Sequence, residues 1–197
     1  MRMTPDATAQ AIPPSEAVGL TLQLVATTYR SPDARLQADI ASGALQEALD
    51  ALAAHAAVAA PLVGAPDWAL VQSSYVDLFV SSVRRVVAPP YVGFALDGEL
   101  LGPSVDALKA FLAHHGVEVA AGWHDLPDDV AAVAEAGALL QGAGRDDAAR
   151  VLLARFLSPW FQRYAPEVVA ADVSGFYGPL TEFLGSLVNE VAREDAS

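Results

Sequence analysis

Ala88-Pro89-Pro90-Tyr91 is the stretch on which the fold of this chain turns. Neither proline has a backbone N–H, and each drives the residue before it towards extended geometry. The tetrapeptide is therefore a stiff elbow that carries an aromatic and cannot lie inside a helix. It closely follows Tyr75-Val76-Asp77-Leu78-Phe79 and precedes, much later, Leu126-Pro127-Asp128-Asp129. Outward from the elbow, most other segments have the spacing of amphipathic helices. An elbow in such a chain suits a recognition surface better than a core.

Ser15 is expected to cap a first helix running to Tyr29, with Leu20, Leu24 and Thr27/Thr28 at helical spacing. Ser31-Pro32 reads as the N-cap and first-turn proline of a short second helix, stopped by Gly43. A third helix is expected from Ala44 to about Ala60 on a stripe of Leu45, Leu49 and Leu52, followed by a loop over 61–66. Asp67 caps a helix carrying Trp68, Val71, Tyr75, Leu78 and Phe79. Between Phe79 and Ser104 no helical period is clear. A loop of that length is functional or disordered, and its aromatic and aliphatic content favours the first. Ser104 caps a helix with Val105, Leu108, Phe111 and Leu112 that ends at Gly116. Pro127 opens the next, with Asp128 and Asp129 in its first turn, and Gly142 and Gly144 break it. Segments Asp146–Leu157, Trp160–Ala171 and Ser174–Arg193 complete the helices. No strong period-2 pattern and no repeat of about 20–50 residues is visible. The expectation is an all-α fold: one globular bundle of about eight to ten helices over 15–197, after a poorly ordered lead-in over 1–14.

Eleven Lys and Arg stand against 24 Asp and Glu, a net charge of -13. Such a surface repels nucleic acid and anionic membranes and attracts a basic peptide. The absence of cysteine excludes disulfides, thiol catalysis and thiolate metal sites, and is compatible with a reducing compartment. The first 14 residues lack the basic start and apolar core of a secretory signal. The most apolar run, 51–63, is mostly alanine, contains His55 and Pro61, and is too short to span a bilayer. A cytoplasmic protein without stable membrane insertion and without a nucleic-acid partner is expected.

Motifs for catalysis are missing. The histidines, His55, His114, His115 and His124, form no H-E-x-x-H pair, and adjacent His114 and His115 would point about 100° apart on a helix. There is no phosphate-binding glycine loop, no G-x-G-x-x-G and no G-x-S-x-G elbow. Ser82-Val83-Arg84-Arg85-Val86 imitates a twin-arginine export signal, but it lies mid-chain and the prolines interrupt the apolar segment such a signal needs. Asp128-Asp129 reads most simply as an acidic helix N-terminus. A small all-α metal-dependent hydrolase using Asp128, Asp129 and His124 is an alternative. No enzyme, no metal and no cofactor is the expectation.

From Tyr75 onward the chain resembles the TorD/DmsD/NarJ family of molybdoenzyme assembly chaperones, the redox enzyme maturation proteins. Tyr75-x-x-Leu78-Phe79 and Ala88-Pro89-Pro90-Tyr91 carry the likeness first. Gly102, Val105, Phe111 and Gly116 follow, then Leu126-Pro127-Asp128-Asp129-Val130 with Glu135 beyond. Phe156-Leu157-Ser158-Pro159-Trp160 and Phe176-Tyr177-x-x-Leu180 complete an ordered set over roughly 70–185. The N-terminal helices fit only by helical character.

The resemblance implies an all-α, non-enzymatic protein that binds the twin-arginine leader, or another segment, of a molybdopterin-containing oxidoreductase catalytic subunit. It would hold that partner for cofactor insertion and assembly before export. By motif position the peptide-binding surface maps onto Tyr75, Leu78, Phe79, Pro90, Tyr91, Asp128 and Asp129. One departure is plain: where the family commonly reads Pro-Asp-His, this chain has Pro127-Asp128-Asp129. The residues agree independently, since a leader offers arginines for carboxylates and an apolar segment for a groove. A stably bound accessory subunit of an oxidoreductase is the alternative within this reading, and homodimerisation stays open.

Overall fold

The computed structural model describes residues 12–80, 86–118 and 126–194. These form α1 (Pro14–Tyr29), α2 (Ala34–Ser42), α3 (Ala44–Ala56), α4 (Trp68–Tyr75), α5 (Val92–Asp97), α6 (Pro103–His114), α7 (Val130–Gly142), α8 (Asp146–Leu152), α9 (Ser158–Ala171) and α10 (Tyr177–Glu194). Five-residue π-helical segments, Val76–Val80 and Leu153–Leu157, extend α4 and join α8 to α9. An isolated antiparallel bridge pairs Tyr91 with Asp129. The fold is the all-α bundle expected. No described helix is long and apolar enough to cross a membrane.

Two packed pairs, α1 on α7 and α9 on α10, make the frame, and α1 also touches α10. Glycine sets the first contact. A Cβ on Gly137 would lie 2.8 Å from Leu22 Cδ2, so a side chain there would push Leu22 out of its place between α1 and α7. An aromatic cluster fills the centre. Tyr29 meets Phe79, Trp160 and Phe161 edge-on, with centroids 5.5, 4.9 and 5.7 Å away, the geometry ring quadrupoles favour. Its hydroxyl donates to Thr181 Oγ1 at 2.8 Å, tying α1 to α10 inside the core. The π segments place neighbouring residues on the core together: Leu78 with Phe79, and Phe156 with Leu157, are all buried.

Several helix ends differ from expectation, and capping explains them. Ser15 lies inside α1, which starts at Pro14 after an extended Pro13. Asp33, not Ser31, caps α2, its carboxylate accepting from the amides of Arg35 and Leu36 at 3.0 and 2.9 Å; an acidic cap also suits the helix dipole. Helix α3 stops at Ala56 because Ala57 is left-handed (φ 53°). The chain after it is pinned back by Gln46, which accepts from the Val63 amide and donates to the Pro61 carbonyl. Gly102 precedes Pro103 at the start of α6, and Ser104 instead donates to Asp97 at 2.7 Å. Asp129 is the N-cap of α7, so Pro127 and Asp128 lie before the helix. The Asp172 carboxylate accepts from Ser174 and Gly178, and α10 begins only at Tyr177. The long loop after Phe79 holds the short helix α5. Most of the expected lead-in, together with Arg84, Arg85 and His124, lies outside the described residues.

Candidate functional site

The elbow is held from four sides. The Ala88 amide donates to the Leu78 carbonyl at 3.0 Å. Trp160 Nε1 on α9 donates to the Pro89 carbonyl at 2.8 Å. The Val130 amide donates to the Pro90 carbonyl, and the Val92 amide to the Asp128 carbonyl, both at 2.9 Å. Pro89 and Pro90 have no N–H to offer, so the elbow is fixed through their carbonyls. Beneath the bridge, Asp128 Oδ2 accepts from the Gly93 amide at 3.0 Å. A Cβ on Gly93 would lie 2.6 Å from Val105 Cγ2 and 3.0 Å from that oxygen, so a side chain there would force Val105 and Asp128 to shift.

This anchoring opens a cleft of about 400 Å³ between α1, the end of α4, the elbow and the start of α7. Tyr75, Phe79, Pro90, Tyr91 and Asp129, five of the seven candidate residues, line it together. Leu78 and Asp128 do not line it and support its wall from beneath, while Phe79 reaches it with only 2% of its surface exposed. The Tyr75 ring lies 5.5 Å from Phe79 and 6.2 Å from Tyr177, and its hydroxyl donates to the Tyr29 carbonyl at 3.4 Å. Asp129 stands at the α7 end, where one carboxylate oxygen accepts from Ala131 and Ala132 amides at 2.9 and 3.2 Å. The charge therefore sits on a helix N-terminus that stabilises it.

Sequence reasoning did not assign Tyr29 and Arg30 to this site, yet both line the cleft. Arg30 pairs with Glu135 of α7. A lone arginine ending a helix carries no motif; the pairing follows from how α1 meets α7. Burial holds the Tyr29 phenol protonated far above the usual tyrosine range, although the Thr181 bond pulls the other way. Burial does the same to Tyr177, with nearby Tyr75, Asp172 and Tyr29 adding to it.

Aromatic and proline faces form the walls, and a carboxylate and a guanidinium stand at the rim. Among the described residues no group of three or more His, Asp or Glu could hold a metal ion. One oxygen each of Asp128 and Asp129 is engaged by backbone amides, and the His124 of the hydrolase alternative lies outside the described residues.

Residues 38–166 match the nitrate reductase delta subunit family. The chain belongs to that family. Its members are the NarJ/TorD-type chaperones, and the role of this chain is molybdoenzyme maturation. The match begins in α2 and takes in α3, so family character reaches further towards the N-terminus than the motif set suggested. A crystal structure from Archaeoglobus fulgidus, of a protein provisionally classed as a redox enzyme maturation protein, is similar over 98% of this chain and 100% of that one. The TM-score is 0.54 at 16% identity, a likeness of fold. None of the curated proteins matches the sequence.

Proposed function

We propose that this family member works in the cytoplasm and binds the twin-arginine leader, or another segment, of a molybdopterin oxidoreductase catalytic subunit. It holds that segment while cofactor is inserted and the subunit is assembled for export. The observation that carries this reading is the meeting of Tyr75, Phe79, Pro90, Tyr91 and Asp129 in one cleft. Apolar residues of the segment lie against the aromatic and proline walls, and an arginine lies towards Asp129. Leu78 and Asp128 act indirectly, by fixing the walls. The molybdopterin belongs to the client, and the chaperone brings no cofactor of its own. The net charge of -13 speeds encounter with a basic peptide at low salt.

Co-purification tests this directly. The full chain should retain a precursor catalytic subunit and lose it when the bound segment is deleted. A client retained equally well after every candidate segment is removed would contradict the reading. The family's description as a delta subunit favours a second reading, a stably attached accessory subunit. Stoichiometric co-purification with the mature, cofactor-loaded enzyme would select it.

A further inference from the structure

A second cleft, of about 470 Å³, runs along the α1–α7 seam beside the first, and the two share Arg30 and Ser31. Its apolar lining includes Leu36, Ala138 and Leu139, and Leu139 is 66% exposed. Glu135 is the α7 carboxylate on this cleft, and Arg30 at the boundary is its ion-pair partner. Their side chains are 34% and 46% exposed.

We infer that Arg30 is a place-holder for an arginine of the client segment. The inference rests on the peptide reading above and extends it along α1 and α7. The segment seated in the elbow cleft continues into the second cleft, one of its arginines takes the seat of Arg30 on Glu135, and its apolar residues lie over Leu36, Ala138 and Leu139. The cleft offers the carboxylates of Glu135 and Asp33 beside an apolar floor, with Arg35 as a second cation besides Arg30, and an arginine followed by apolar residues fits Glu135 and that floor. Exchange is easy because a half-exposed ion pair contributes little net stability. The seam also packs closely without the pair, Leu22 of α1 lying against Gly137 of α7.

The sign of one substitution separates a place-holder from a strut. Calorimetry would use the full chain and a synthetic peptide with two consecutive arginines followed by an apolar stretch. Removing the competitor, Arg30→Gln, should tighten binding by about 2- to 5-fold. Arg30→Met, which keeps the alkyl stem over the seam, should do the same. Glu135→Gln should weaken binding and make Arg30→Gln silent. A peptide with both arginines changed to glutamine should not distinguish wild type from Arg30→Gln. If wild type binds and both Arg30 variants leave affinity unchanged or lower it, the exchange is wrong while the peptide reading stands. If neither wild type nor the Arg30 variants bind, both fall. An acidic peptide that binds wild type and loses affinity in Arg30→Gln would assign the cleft to anions and overturn the exchange.

Discussion

The carboxylate of Asp128 accepts the backbone amide of Gly93 at 3.0 Å from a position with no solvent exposure. This bond ties the turn before α7 to the first turn of α5, and so fixes the elbow between them. Asp128→Ala should destabilise the fold by about 1–3 kcal/mol, because a buried amide loses its acceptor. Asp128→Asn keeps a carbonyl oxygen in place and should lose much less. Urea unfolding checks both: the midpoints should separate with m unchanged. Equal midpoints for the alanine variant and wild type would show that the bond does not hold the elbow.

Asp129 combines two roles that substitution can separate. It caps α7 through Ala131 and Ala132 and puts a charge on the cleft. Asn is as good a cap as Asp, so Asp129→Asn should keep thermal stability within about 0.5 kcal/mol while weakening an arginine-bearing peptide. Asp129→Ala removes the cap as well and should be about 1 kcal/mol less stable. Asp129→His should resemble alanine in stability. Loss of stability in Asp129→Asn would mean the negative charge itself holds the helix.

Tyr29 and Tyr177 are both buried phenols, yet their hydroxyls differ. That of Tyr29 donates to Thr181, whereas that of Tyr177 has no hydrogen-bond partner among the described residues. Tyr29→Phe should therefore cost about 1 kcal/mol, and Tyr177→Phe should be neutral or slightly stabilising. Differential scanning calorimetry would show the contrast as opposite or unequal shifts in Tm.

Alkali should expose the same pair. In the unfolded chain both phenols ionise near 10.0, while burial keeps them protonated above that in the native protein. The unfolded state then binds fewer protons, so stability falls as pH rises. This contribution is intact below pH 10 and is lost above it, at roughly 1.4 kcal/mol per pH unit for each tyrosine. The double variant Tyr29→Phe/Tyr177→Phe should flatten the alkaline limb of a stability–pH curve. An unchanged slope would show that these phenols ionise freely.

Much of the fold was legible because helices declare themselves locally. The stripe Leu45, Leu49 and Leu52 and the Asp67 cap are short-range signals, and both hold in the structure. At α2 the choice is local, Asp33 taking the cap through the Arg35 and Leu36 amides, whereas the misplaced starts of α6 and α7 share another cause. Several residues in a row could cap, and contacts with other segments decide among them. Ser104 is recruited by Asp97, and Asp129 takes the cap once Asp128 is buried under Gly93. Helix α5 is only six residues long and shows no period of its own; the bridge and the Asp128 bond hold it. For the cleft, the elbow and the Leu78-Phe79 pair were readable as motifs. Arg30 with Glu135 was not, because that pair exists only where α1 crosses α7.

The most direct measurement is the affinity of the full chain for a client leader peptide, wild type against Tyr91→Ala. Tyr91 stands on the elbow and lines the cleft, and truncating an aromatic anchor typically lowers affinity by about 5- to 30-fold. The account predicts a loss of that size in calorimetry, with circular dichroism showing the helices intact. Binding by the folded Tyr91→Ala variant at wild-type affinity would contradict it, and the elbow would then not be where this protein holds its client.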